Sequence, residues 1–201
     1  MKIVAIDASR HFGAVSRSVE AAALAAESVG ATVSRVSLRD LEIRTCTHCC
    51  MCHASGVCKI QDGLPELARL INEANGIIFG TPDSSRQASD ATNAILDRLS
   101  GYFNSDQMCL PGIGSSAAPQ TRSAKLAKRA IIITACRSSQ LLATFFGYTN
   151  GPIRQLRSTL AASGIRTIGT LEVRGATPKG EYSPPDIEIA SSLGRLVAGK
   201  I

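Results

Sequence analysis

Five of the seven cysteines of this chain fall in one short loop, Cys46-Thr-His-Cys49-Cys50-Met-Cys52-His-Ala-Ser-Gly-Val-Cys58. Four of them fit the spacing C-x2-C-x2-C-x5-C. Cysteines three apart on irregular backbone point their sulfurs into one concavity, and Cys58, beyond Gly56, closes the cup. Soft thiolates at this spacing select an iron–sulfur cluster, zinc or copper(I) over hard cations. Cys50 is the extra thiol. His48 and His53 flank the loop, and under a zinc reading either can replace a thiolate.

A second group of reactive side chains follows the first apolar run. In Asp7-Ala-Ser9-Arg10-His11-Phe12-Gly13-Ala14-Val15-Ser16-Arg17-Ser18, hydroxyls at Ser9, Ser16 and Ser18 can bond phosphate oxygens. The amides of the helix that starts here carry partial positive charge and face the same place. Arg10, His11 and Arg17 can add charge-assisted contacts. The segment lacks the Gly-Lys-Ser/Thr ending of a Walker loop.

The elements that position these groups alternate. Short β-branched runs are expected as strands at Ile3–Ile6, Thr32–Leu38, Gly76–Gly80, Ala130–Thr134 and Ile165–Val173. Longer amphipathic stretches are expected as helices at Ser16–Val29, Leu64–Glu73, Ala88–Gly101, Ile153–Ala162 and Pro185–Ala198. Asp62 is the expected N-cap of the second helix, with Pro65 in its first turn. Strands separated by helices imply parallel pairing with right-handed crossovers. The expected class is therefore α/β, a doubly wound five-stranded parallel sheet in a single domain over 1–201. The cysteine loop (44–62) follows the second strand, and an irregular insertion (104–123) carries Cys109. Ligands of such sheets sit outside the carboxyl ends of the strands, where strand order reverses. Those ends are 8–16, 81–85 and 135–139.

Composition narrows the partners. Hydrophobic residues make up 44% of the chain, enough for a sizeable core. There is no tryptophan and aromatics are 4%, so a flat ligand must rest mainly on backbone and aliphatic surface. The net charge of +6 comes from scattered basic residues, which argues for a solvated surface and against nucleic acid. A basic balance also suits anionic small molecules. No apolar run is long enough to span a bilayer, and the first residues read as a buried strand and not a signal peptide. A cytoplasmic protein without a disulfide framework is expected.

Beyond these readings, the chain resembles the NADPH-dependent FMN reductase group of the flavodoxin-like superfamily, and within it the iron–sulfur flavoproteins. The family's Gly-Ser-x-Arg-x-Gly-Ser-x-Asn-Arg is matched by Ser9, Gly13 and Arg17, with Ser16 in the Asn or Thr place, Ala8 for glycine and His11 for arginine. Gly76-Ile-Ile-Phe-Gly-Thr-Pro82 and Ile95-Leu96-Asp97-Arg98-Leu99 match two further blocks, and Asp83-Ser84 stand where the family often has Val-Tyr. The resemblance implies a flavodoxin-like fold binding FMN through Ser9, His11, Ser16, Arg17, Ser18, Thr81, Pro82, Asp83, Ser84, Ser85, Ala135, Cys136 and Arg137. It implies a 4Fe-4S cluster on Cys46, Cys49, Cys52 and Cys58. It names no catalytic side chain, because hydride transfer to flavin requires none.

What the resemblance implies functionally is a flavin oxidoreductase or electron-transfer protein, a homodimer or homotetramer. NAD(P)H or reduced ferredoxin would be the donor, and a quinone, an oxygen species or a protein the acceptor. Two alternatives stand beside it. One is a flavin-free module that uses a cluster or zinc for sensing or partner binding. The other is a cluster-free quinone or azo-compound reductase.

Overall fold

The structure is a computed structural model that describes residues 1–52, 58–84, 87–103, 128–136, 150–174 and 184–199. Three of the expected positions therefore lie outside the described residues: Ser85, Arg137 and the 104–123 insertion with Cys109. His53 does as well.

Strand β1 (Lys2–Asp7) is followed by helix α1 (Ala14–Ser28) and strand β2 (Thr32–Ser37). After the cysteine loop come α2 (Leu64–Glu73), β3 (Gly76–Ser84), the short β4 (Gln87–Ala88) and α3 (Asp90–Phe103). The described chain continues with β5 (Lys128–Ala135), α4 (Asn150–Ala162), β6 (Ile165–Val173) and α5 (Pro184–Gly199). The parallel order is β2-β1-β3-β5-β6. β1 pairs with β2 from Lys2↔Thr32 to Asp7↔Ser37, and with β3 from Ile3↔Gly76 to Asp7↔Gly80. The order reverses between β1 and β3, so the carboxyl ends of these two strands open the crevice where such folds take ligands.

Both faces of the sheet are covered, which is why the central strands read as unbroken apolar runs. Side chains alternate between faces with period two. Val4 and Ile6 face α2, α3 and α4, packing with Leu67, Ile71, Ile95, Leu99 and Leu156. Ile3 and Ala5 face α1 and α5, packing with Val19, Ala22, Ala26, Ala190 and Val197. The alanines of α1 favour helix and leave room for close packing. A Cβ on Gly194 of α5 would lie 2.0 Å from the Ala22 carbonyl oxygen, so that crossing tolerates only glycine. A Cβ on Gly80 would lie 2.3 Å from Val19 Cγ2 and 2.7 Å from Val15 Cγ1. Gly80 thus lets the start of α1 sit directly on β3, beside the crevice.

Two local expectations are corrected. β3 does not stop at Gly80. Thr81 and Pro82 continue the ladder with Thr134 and Ala135, and Asp83 and Ser84 turn back antiparallel to Ala88 and Gln87. Pro82 is tolerated near the strand's end, where its missing N–H costs little. The N-cap of α2 is Gly63, one residue later than expected. The Asp62 carboxylate still accepts the Leu64 amide at 3.1 Å, because it is held in place by a group remote in sequence.

Candidate functional site

The loop after β1 brings Ser9 and Ser16 together, their hydroxyl oxygens 2.9 Å apart. Both residues are buried. Asp7, at the last register position of β1, accepts the amide and the hydroxyl of Ser9. Gly13 caps α1, and the Ser16 hydroxyl accepts its amide at 3.4 Å. The Ser9 hydroxyl proton is thus spent on Asp7, and the amides of the α1 N-terminus beside this pair are what suits an anion.

A cation completes this group, and it comes from elsewhere. Arg39, two residues past β2, reaches across from the neighbouring strand. Its Nη1 lies 3.2 Å from Ser9 Oγ, 3.1 Å from Ser16 Oγ and 3.3 Å from the Ser9 carbonyl oxygen. It pairs with Asp7 at 3.0 Å. Phe12 is exposed and carries Arg17 and Arg39 at 5.9 and 6.0 Å from its ring centre. A hollow of about 270 Å³ beside the group is lined in part by Asp7, Phe12, Ser16, Arg35 and Arg39.

The other expected residues of this region are placed as follows. His11 is exposed, and its carbonyl oxygen lies 3.4 Å from Ser16 Oγ. Ser18 is fully buried, and its hydroxyl has no partner among the described residues, so it does not join Ser9 and Ser16. Thr81 is buried and bonds Thr92 at 2.8 Å, fastening the end of β3 to α3. Pro82 and Asp83 are half-buried. Ala135 and Cys136 are buried at the end of β5, and the Cys136 amide donates to the Val173 carbonyl at 3.0 Å. Cys136 is therefore a packed small side chain.

The cysteine loop lies between β2 and α2 in the chain. His48 and Cys50 have φ of 52° and 59°. These left-handed residues cost about 1 kcal/mol each and reverse the chain on both sides of Cys49. Cys46, Cys49, Cys52 and Cys58 carry free thiols. The sulfur of the extra cysteine, Cys50, lies 3.5 Å from the His48 carbonyl oxygen. Hydrogen bonds from the Met51 amide and the Thr47 side chain pull the Cys49 thiol down. Burial pushes the Cys52 thiol up, and the charges of Cys58, Cys46 and Cys49 add to it. Among the described residues, no three His, Cys, Asp or Glu side chains are close enough as they stand to hold a metal ion.

A buried ion pair fastens both ends of this loop. Arg98 of α3 is 1% exposed and its partner Asp62 is 2% exposed. Arg98 Nη1 donates to Asp62 and, at 2.9 Å, to the Arg44 carbonyl before the loop. Its Nη2 donates to Asp62 Oδ1 at 3.0 Å, the Ile60 carbonyl at 3.4 Å and Cys58 Sγ at 3.4 Å. Burial works to raise the Asp62 carboxyl. Against it, the Arg98 guanidinium and the amides of Arg44 and Leu64 hold it below the ordinary carboxylate value.

Sequence reasoning quoted Arg98 within a matching block but gave it no role, and missed Arg39. Arg98 carries a signal, since it is the one charge on the apolar stripe of Ile95, Leu96 and Leu99. Arg39 carries none beyond its place past a strand end.

The model of the NADPH-dependent FMN reductase family matches residues 1–133, the span holding the β1 loop, the cysteine loop and β3. The chain belongs to this family. As an FMN reductase family member it is a flavin oxidoreductase, with the flavodoxin-like α/β fold. It is 27% identical over 199 residues to an iron-sulfur flavoprotein of Archaeoglobus fulgidus, covering 98% of this chain and 79% of that one. Among solved structures it is similar to a flavone reductase at TM-score 0.72 and 17% identity. That match covers 99% of this chain but 62% of the flavone reductase. It is also similar to an NAD(P)H:quinone oxidoreductase from Methanothermobacter marburgensis, at TM-score 0.70 and 14% identity, covering 98% of this chain and 94% of that one. At these identities the solved structures bear on the fold alone. No helix among the described residues is long and apolar enough to cross a membrane.

Proposed function

We propose that this family member is an iron–sulfur flavoprotein, with FMN across the loops after β1, β3 and β5 and a 4Fe-4S cluster on Cys46, Cys49, Cys52 and Cys58. When bound, the flavin supplies two-electron and one-electron chemistry and the cluster one-electron chemistry. The chain's own residues position and shield. The α1 amides present donors to the phosphate end of FMN, beside the Ser9–Ser16 hydroxyl pair and with Arg17 nearby. Thr81, Pro82, Asp83, Ser84, Ser85, Ala135, Cys136 and Arg137 form the two remaining rims, and His11 and Ser18 belong to the first loop. The buried Arg98–Asp62 pair anchors the cysteine loop against α3 from both sides.

The observation that carries the cluster reading is the state of the thiols. The four cysteines of the spacing pattern are free, and the buried Arg98 guanidinium donates to the Cys58 sulfur at 3.4 Å. Four soft donors suit a 4Fe-4S cluster. The donor is NAD(P)H or reduced ferredoxin, the compartment is the cytoplasm, and the assembly is a homodimer or homotetramer. The test is C46S and C52S, purified without oxygen. Each should lose iron and inorganic sulfide and keep FMN. Iron and sulfide unchanged in both variants would overturn the ligand assignment.

A second reading is favoured by one observation. As they stand, the described thiols do not form a group tight enough for a metal ion. On that reading the chain is a cluster-free NAD(P)H:quinone reductase, and C46S and C52S turn over quinone as the unchanged chain does.

A further inference from the structure

The β1 loop offers the amides of the α1 N-terminus to a phosphate, yet its own cations are turned elsewhere. Arg10 lies on the surface beside Asp90 at 3.6 Å, with both side chains exposed. Arg17 stands over the Phe12 ring. His11, where the resemblance expects a permanent cation, is exposed. Arg39 alone among the described cations has hydrogen-bond contact with both Ser9 and Ser16.

We infer that Arg39 is the phosphate-binding cation of this flavin site, supplied from the β2 side in place of the β1 loop; the inference rests on the FMN reading above. The geometry is specific. Among the described residues, the contacts of Arg39 to Asp7, Ser9 and Ser16 all run through Nη1. Nη2 and Nε keep their donors for an incoming oxygen pair, and a guanidinium binds two phosphate oxygens in its plane where an ammonium offers only a point charge. The side chain is 29% exposed, so its charge is poorly screened yet reachable. Asp7, whose side chain is 10% exposed, holds the guanidinium over the hydroxyl pair before any ligand arrives. That preorganisation cuts the entropy lost on binding. Arg39 therefore favours the phosphorylated flavin over the unphosphorylated one, and a negative charge at Asp7 is tolerated beneath a phosphate because Arg39 neutralises it.

The test titrates the full chain with FMN and, separately, with riboflavin, following flavin fluorescence. Losing a charge-assisted contact of this kind weakens binding by about tenfold to a hundredfold. R39M should lose that much for FMN and leave riboflavin unchanged, so that the preference between the two collapses. R39K, which keeps the charge and folds if R39M does not, should recover part of the preference. FMN affinity unchanged in both variants would overturn the inference, as would equal weakening of FMN and riboflavin, which marks a structural role only. An unchanged chain that binds neither flavin would overturn the FMN reading, and the role of Arg39 with it.

Discussion

Replacing Arg98 with methionine keeps an unbranched apolar stem, shorter than the original, and removes the charge that fastens the cysteine loop. The cost follows from burial. Arg98 and Asp62 are 1% and 2% exposed, so water cannot take over when one partner is lost. Breaking a buried pair in this way costs about 3–5 kcal/mol, because the remaining charge stays uncompensated. Here the Arg44 and Ile60 carbonyls lose a donor as well. In a chain of this size, about 3–5 kcal/mol lowers Tm by roughly 6–20 °C. The assay is equilibrium urea unfolding followed by circular dichroism, on R98M, D62L and the double variant R98M/D62L. Since the partners touch, the double variant should be less destabilised than the two single losses added together, with a coupling near the upper end of about 0.5–3 kcal/mol. Removing both charges leaves no unpaired charge, and what persists is the smaller loss of partners at the Arg44 and Ile60 carbonyls and the Arg44 and Leu64 amides. The reasoning is refuted if R98M costs less than about 1 kcal/mol, the behaviour of an exposed pair, or if the single losses simply add.

Two further outcomes follow from the same structure. Asp62 has a folded-state pKa below its ordinary value, so its contribution is present at neutral pH and is lost as pH falls through that lowered value. The stability difference between the unchanged chain and D62N should be widest near pH 7 and shrink in acid unfolding curves, and a difference that widens on acidification contradicts this. Gly80→Ala sets a methyl 2.3 Å from Val19 Cγ2 and should push α1 off β3 at a cost of about 1–3 kcal/mol. Urea unfolding checks the stability and bound flavin after gel filtration checks the site; a variant unchanged in both shows that the crossing is looser than described.

The sheet was readable because its central strands are unbroken β-branched runs, and α2 and β6 have the bounds that their patterns suggest. The end of β3 was not readable. Asp83 and Ser84 are polar and carry no alternation, and only the return of Gln87 and Ala88 makes them strand. The cysteine spacing could be seen in the chain, but the left-handed backbone at His48 and Cys50 could not, since neither is a glycine. Arg39 and Arg98 act through residues 23 to 54 positions away, in contacts that exist only once the strands and helices have packed. Local pattern marks such residues only when they break it, as Arg98 does on its apolar stripe and Arg39 does not.

The central claim is that one chain holds both FMN and a 4Fe-4S cluster. Its most direct test is an absorption spectrum with iron, sulfide and flavin assays on protein purified without oxygen. The account predicts flavin bands with about four irons and four sulfides per chain. Flavin without iron would contradict the cluster, and iron or zinc without flavin would contradict the flavin site.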